Sequence, residues 1–385
     1  MKKRILAIGA YERDNFGDLL FFQVLKEYLS DCTVIAGSIM YSDMTETLGE
    51  KVLPYPILLK KYSWDTVWVV GGEVGGVDID AAYNMSLSPE QLRVYSNLSS
   101  AKKRVIQKAY SGNSVPDTAY LPDKSLFSEL RQCKLIINSV GISNIEKLQN
   151  AYIAKRSLTI LKEAHQLTVR DKKSAIYCRK NNISSQLIPD VVHSIGRMDN
   201  WIALKKQVSN KSPYITFQMN QGLLRSYNRY EVARILVSII KKYKVKIIMV
   251  AAGIAAHHDS YAEYHHLKML VGREVGKENI EVLLSRKPSV IVERIINSML
   301  WVGTSLHGRI VASSFHVPRI SLTNEKVDSY AETWDHHFPS NVMLQDVPSI
   351  IGEVLNKNYH EAHTYADSVS EMAESNLKRL KESIA

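Results

Sequence analysis

LWVGTSLHGRIVASSFHVPRISL, residues 300–322, holds a strand, a turn, a helix and a second strand in one short run. The apolar stretch ends at Gly303, and Thr304 and Ser305 make the turn. In "LHGRIVASSF" the residues Ile310, Val311, Ser314 and Phe315 recur at helical spacing, and "RISL" is apolar again. Two strands joined through a helix belong side by side and parallel, which places this stretch in an α/β sheet.

The same alternation extends along the chain in both directions. "RILAIGA" reads as a buried strand and "FGDLLFFQVLKEYL" as a helix. "WDTVWVVGG", "CKLIINSVGI", "QLTVR" and "QLIPD" continue as strands, and "DKKSAIYCRKNN" as a helix. After the polar stretch 196–212 the pattern restarts with "PYITFQM", the helix "YEVARILVSIIKKY" and the strand "VKIIMVAAG". "IEVLL" follows, then "PSVIVERIINSM" with Pro288 in a first helical turn. The expected fold class is α/β, with two Rossmann-like domains facing a cleft. Their expected limits are 1–197 and 205–345, with helices over 346–385 packing back on the first. Residues 78–125, rich in Ser, Asn, Asp and Tyr and carrying one helix near 89–110, read as a lid or substrate loop within the first domain.

A chain of 385 residues is long enough for two cores. Its formal net charge of +10 favours acidic partners. Lys and Arg form no block interleaved with aromatics, which argues against nucleic acid. Cys32, Cys133 and Cys178 are far apart with no CxxC pair, the usage of a reducing compartment without structural zinc. The apolar stretch in "MKKRILAIGAYERD" is too short for a secretory core, and no run has the length of a membrane span. These features describe a cytoplasmic protein, with room for peripheral contact at the inner face of a membrane.

Open parallel sheets bind ligands beyond the carboxyl ends of their strands, and the polar clusters fall there. "RDNFGD" follows the first strand with Asn15, Gly17 and Asp18 at a helix start, where Asn and Asp serve as caps or meet a sugar hydroxyl. "GGEVGG" follows the next, with Gly71, Gly72, Glu73, Gly75 and Gly76; it lacks the Lys-Ser/Thr of a phosphate loop, so tight turning and ligand contact both remain open. Arg170 and Asp171 end "QLTVR", where Asp171 caps a helix and Arg170 either grips an anion or pairs at the surface. "HHDSYAEYHH", 257–266, invites a metal, but no HExxH spacing supports one. His307 lies in a first helical turn beside Ser305, Gly308 and Arg309, at the positive end of a helix dipole, where an anion would sit.

Taken in order, "NFGD", "VVGGEVGG", "SVGI", "TVRDKKS", "IPDVV", "GTSLHGRIVASSFHVPRISL" and "NEKVDSY" resemble the polysaccharide pyruvyl transferase family over about residues 5 to 330. The resemblance implies a fold like that of the B-type glycosyltransferases. It implies transfer of a pyruvyl group from phosphoenolpyruvate to two hydroxyls of a sugar, forming a ketal in cell-surface polysaccharide synthesis. The sugar would be nucleotide-linked, lipid-linked or part of an oligosaccharide. No cofactor and no metal are implied. By the same resemblance His307 is the acid–base residue, with Asp18 facing it from the acceptor side. Arg170, Ser305, Gly308, Arg309 and Lys326 would bind the donor, and Asn15, Gly17, Gly72 and Glu73 the acceptor. Two positions depart from the family pattern. Ser305 stands where many members have arginine before "LH", and "FQMNQG" follows a strand after which several place arginine; Arg309 or Arg225 would compensate. A glycosyltransferase with a nucleotide-sugar donor and a non-catalytic sugar-binding relative are the alternative readings.

Overall fold

The computed structural model describes residues 2–112, 114–205, 213–255 and 258–384. The chain divides into two compact units, Met1–Val191 with Met372–Ala385, and Val192–Glu371. Part of the expected connection, residues 206–212, lies outside the described residues, as does His257.

The first unit is built on eight strands. They are β1 (Arg4–Ile8), β2 (Thr33–Ser38), β3 (Ser42–Met44), β4 (Glu50–Pro54), β5 (Thr66–Val70), β6 (Lys134–Val140), β7 (Gln166–Val169) and β8 (Gln186–Leu187). Their order is β3-β4-β2-β1-β5-β6-β7-β8, parallel except for the antiparallel β3–β4 edge. The second unit carries β9 (Tyr214–Gln218), β10 (Lys246–Val250), β11 (Ile280–Leu283), β12 (Leu300–Gly303) and β13 (Arg319–Ser321). Here the order is β11-β10-β9-β12-β13, all parallel. Central strands such as β5, buried along its whole length, read as continuous apolar runs because both faces of a parallel sheet are covered. Both units are Rossmann-like. In each, the chain leaves its first strand toward one edge and later crosses to the other. That puts a topological switch point between β1 and β5 in the first unit and between β9 and β12 in the second.

The expected boundaries shift: the first segment of the first unit ends at Val191 and the second unit begins at Val192, ahead of the expected 197 and 205. Residues 346–371 stay with the second unit, and only the chain from Met372 returns to the first. The reason is the apolar stripe Val347, Ile351 and Val354 of the Val347–Asn356 helix, which joins the second core together with Tyr359 and Ala362. Residues 78–125 are not a loose excursion. They form three helices, Ile79–Ser86, Pro89–Ser96 and Ser100–Ser111, the second opened by a capping box of Ser88 and Gln91. Ile79, Ala82, Tyr83, Tyr95, Tyr120 and Leu121 are buried in the first core, and the Tyr83 hydroxyl lies 3.0 Å from Ser111 Oγ. Among the described residues no helix is long and apolar enough to cross a membrane.

Candidate functional site

Both switch points are lined by polar residues, and the two are built from different chemistry. In the first unit, the chain leaving β1 passes Tyr11, Glu12 and Arg13 before entering the Phe16–Tyr28 helix. Asn15 caps that helix, accepting from the N–H groups of Gly17 (3.0 Å) and Asp18 (3.4 Å). This accounts for Asn15 and Gly17 without a ligand. Asp18, 9% exposed, is held by Arg13 through Nε at 3.3 Å and Nη2 at 3.2 Å. Glu12 is buried and accepts from Ser86 Oγ (2.8 Å), Tyr120 OH (2.7 Å) and Ser38 Oγ. Ser86 and Tyr120 both come from the 78–125 segment, so that segment buttresses the end of β1.

After β5, Gly71 and Gly72 adopt φ of 58° and 78°, in the left-handed region where a side chain is strained. Gly75 and Gly76 press on Ile142 and Asn144 so closely that a Cβ would sit 2.7 and 2.6 Å from their atoms. Backbone geometry therefore explains all four glycines. Gly72 nevertheless adjoins the β1 end, since its Cβ position is 3.9 Å from Asp18 Oδ1. Glu73 turns the other way: its Oε2 lies 3.6 Å from Arg170 Nη2. Ser139, at φ 57°, marks an irregularity in the β6–β7 register and brings Gly141 against Glu73. Arg170 is 1% exposed and also pairs with Asp190, Nη1 to Oδ2 at 3.0 Å. Burial opposes its charge, but Asp190, Glu73 and Asp171 outweigh that and hold its pKa above the ordinary arginine value. Arg170 is thus a buried ion-pair residue, neither a surface bridge nor an open anion grip, while Asp171 caps the Lys172–Lys180 helix as expected.

In the second unit the switch point carries the opening segment of sequence. Ser305 caps the Leu306–Ser314 helix by accepting from Gly308 N at 3.2 Å, and His307, 7% exposed, lies in its first turn. Gly308 is required by packing: a Cβ there would meet Trp301 Cζ2 at 2.1 Å. Arg309 points into the unit's interior. Its Nε is 2.6 Å from Asp335 Oδ2, and its other nitrogens donate to Ser321 Oγ and to the carbonyls of Asp335, Phe338 and Pro339. Asp335 also binds Arg319; burial raises its pKa, but the two guanidinium groups outweigh that and hold it below the usual carboxylate range. Arg309 therefore fastens the helix to its scaffold. Lys326 is exposed at the start of the Glu325–Trp334 helix, which Asn324 caps.

Beneath the turn lies a network that sequence reasoning missed. Gln218 ends β9; its Oε1 accepts from Thr304 N (2.9 Å) and Thr304 Oγ1 (3.0 Å), and its Nε2 donates to Asp259 Oδ1 (2.7 Å). Asn220 N donates to Thr304 Oγ1 at 3.2 Å, and Asn324 Nδ2 to the Thr304 carbonyl at 3.1 Å. Burial pushes the Asp259 carboxyl up to about 7, against the pull of the Ala252 N–H and the Gln218 amide. In the sequence, Asp259 stands out only as part of the histidine-rich stretch 257–266. No group of three or more potential ligands able to hold a metal occurs among the described residues. A further missed residue, His193, is fully buried under the same helix, with Nδ1 3.4 Å from Ser314 Oγ and its ring stacked on Tyr330. Beside Asn220, Gln221 lines a cavity of about 410 Å³ with Arg225, Tyr227, Arg229, Tyr230 and Glu263.

The family model for polysaccharide pyruvyl transferase matches residues 15–326. No curated protein matches the chain in sequence. Among solved structures, the UDP-GlcNAc 2-epimerase of Methanocaldococcus jannaschii aligns with TM-score 0.59 at 12% identity, covering 99% of this chain and 100% of that one. The Staphylococcus aureus MnaA–UDP co-structure aligns at 0.57 and 11%, covering 99% and 96%. Anabaena Alr3699/HepE in complex with UDP and glucose aligns at 0.51 and 10%, covering 99% of each chain. At these identities the likeness is one of fold: two Rossmann-like domains in the arrangement of strands and helices that these proteins share.

Proposed function

The chain belongs to the polysaccharide pyruvyl transferase family, and on that premise we propose that it transfers a pyruvyl group from phosphoenolpyruvate to two hydroxyls of a sugar. The observation that carries the reading is His307, a sheltered imidazole in the first turn of a helix that starts at a switch point. Phosphoenolpyruvate brings a phosphate and a carboxylate, and a helix start offers N–H groups and the positive end of a dipole to such anions. A proton delivered to the methylene carbon makes C2 electrophilic. One sugar hydroxyl adds to C2 and loses its proton; inorganic phosphate leaves; the second hydroxyl adds, loses its proton and closes the ketal. His307 is the group assigned to those proton transfers, since an imidazole can both give and take a proton through its ring nitrogens.

Of the cations assigned to the donor, exposed Lys326 is the one we retain as a direct contact. Arg170 and Arg309, both tied to buried carboxylates, act by holding Glu73 and the His307 helix in place. Asp18 and Gly72 are the proposed acceptor contacts of the first unit. A nucleotide-linked sugar is the acceptor to test first, because two fold relatives were solved with UDP. The cavity beside Gln221, about 410 Å³, is within the range of small-molecule pockets, and Gln221 follows Asn220 of the network under Thr304.

The test is a thermal-shift screen followed by phosphate release. Phosphoenolpyruvate is expected to raise Tm, as any ligand of the native state must. His307→Ala is expected to lower turnover by roughly 10²- to 10⁴-fold, the usual share of a general acid–base group. Stabilisation by a UDP-sugar alone, with sugar transferred and no phosphate released from phosphoenolpyruvate, would replace this reading with a glycosyltransferase.

A further inference from the structure

We propose that Asp259 is a positioning residue for His307: its carboxylate selects the one amide orientation of Gln218 that can accept from Thr304, and so fixes the chain's entry into the His307 helix. The inference deepens the reading of that helix start as the reacting site, but the hydrogen-bond logic stands without it.

Gln218 has one accepting end and one donating end, and its neighbours demand opposite ones. Thr304 N is a backbone donor at 2.9 Å, and Thr304 Oγ1, which receives Asn220 N, has its proton left to give to Gln218 Oε1 at 3.0 Å. Ionised Asp259 only accepts, from Gln218 Nε2 through Oδ1 at 2.7 Å and from Ala252 N through Oδ2 at 2.5 Å, with a further backbone bond from Gly253. Turning the Gln218 amide over would set an NH2 against the Thr304 N–H and an oxygen against the carboxylate. Gln218, Asp259 and Thr304 are 2%, 4% and 4% exposed, so water does not repair a mismatch. Thr304 is held at its N–H, its hydroxyl and its carbonyl, the last by Asn324. Ser305 follows at once as the cap, and His307 comes two residues later. A displaced Thr304 therefore moves the imidazole.

This pattern makes a prediction that bulk packing would not. In Asp259→Asn, either the new NH2 faces Gln218 Nε2 or it faces Ala252 N–H, and two donors meet in both cases. In Gln218→Glu, two carboxylate oxygens meet. The exchanged pair, Gln218→Glu with Asp259→Asn, restores the bonds to Thr304, between the two side chains and to Ala252: Glu Oε1 accepts from Thr304, Asn Nδ2 donates to Glu Oε2, and Asn Oδ1 accepts from Ala252. It also keeps the net charge.

The experiment measures backbone hydrogen exchange on the full chain, at a pH where Asp259 is ionised, for the native protein, both single variants and the exchanged pair. Each single variant should speed exchange of the Thr304 and Gly308 amides by roughly 10-fold or more, and the exchanged pair should return to near the native rate. Amides of the Arg229–Tyr243 helix should be unchanged throughout. An exchanged pair no better protected than the singles, or native protection at Thr304 in Asp259→Asn, overturns the proposal. Should neither single variant fold, a folded exchanged pair supports it and an unfolded one overturns it. These readouts need no substrate. With phosphoenolpyruvate turnover in hand, kcat should fall in the singles with KM little changed and recover in the pair; absent turnover with rescued exchange would count against the assigned reaction alone.

Discussion

The ends of β1 and β5 in the first unit and the ends of β9 and β12 in the second occupy the same topological position and are finished in opposite ways. In the first, charge is closed on charge: Arg13 on Asp18, and Arg170 on Asp190 and Glu73. In the second, the turn before His307 is held by the neutral partners Gln218, Asn220 and Asn324, with one carboxylate behind them. The permanent charge nearest His307 in sequence, Arg309, is turned into the scaffold. The difference teaches that an arginine at a strand end is not by that fact a ligand contact. A buried guanidinium is kept by its carboxylates, which leaves the helix start and exposed Lys326 as the proposed anion contacts.

The largest test of this contrast is Arg170→Ala, which removes the guanidinium paired with buried Asp190. It should cost about 3–5 kcal/mol in denaturant unfolding, whereas Lys326→Ala, at an exposed position, should stay within about 0.5 kcal/mol. Equal costs would erase the distinction between scaffold and ligand cations.

Next comes pH. Asp259 binds its proton more tightly in the native state, about 7, than in an unfolded chain, ~3.9. Its contribution is therefore greatest below about pH 4 and declines as pH rises to 7, by about 4 kcal/mol in total. Asp123 of the first unit runs the other way. Burial would raise its pKa, but Arg156 and Ser125 lower it overall, so its contribution is present above the unfolded value and lost as pH falls through the native one. Urea midpoints measured across this range should lose the Asp259 slope in Asp259→Asn; an unchanged slope would assign it to other groups.

Two glycines sharpen the comparison further. Gly308→Ala drives a Cβ into the Trp301 ring and should cost about 1–3 kcal/mol. At Gly141 the nearest atoms to the Cβ are those of the Glu73 carboxylate, the end of a side chain with several rotatable bonds, so Gly141→Ala should cost less and instead push Glu73 off Arg170, detectable in a crystal structure. Smallest are the caps. Asn15→Ala and Ser305→Ala should each cost about 1 kcal/mol in thermal unfolding, one in each unit. A negligible loss at Ser305 would mean that Gly308 N–H finds another partner there.

Much of the fold was legible. β1, β5, β6, β7 and every strand of the second unit match apolar runs, because both faces of a parallel sheet are covered and the signal is dense. β2, β3 and β4 were missed; β3 is three residues long, and β3 and β4 pair antiparallel at an edge where alternation is weak. Within 78–125 the one helix expected near 89–110 is two, Pro89–Ser96 and Ser100–Ser111; the Ile79–Ser86 helix was not anticipated, and only packing made Tyr83 and Tyr95 core residues. At the candidate site, Asp18, Glu73 and His307 could be singled out because each follows a strand in an ordered series of motifs. Glu12, Gln218 and Asp335 carry no such marker.

The sequence by itself determined the repeated strand–helix pattern, the two cores, the caps at Asn15, Asp171 and Ser305, and the family, since each depends on neighbours a few residues apart or on motif order. The tertiary structure decided which charges are closed on buried partners and which lie at the surface. Arg170 meets Glu73, Arg309 meets Asp335, and Gln218 meets both Thr304 and Asp259 across sequence separations that no local pattern records. Desolvation is the physical reason. A buried guanidinium or carboxyl must find a partner wherever the sheet brings one, and only the folded chain says where that is.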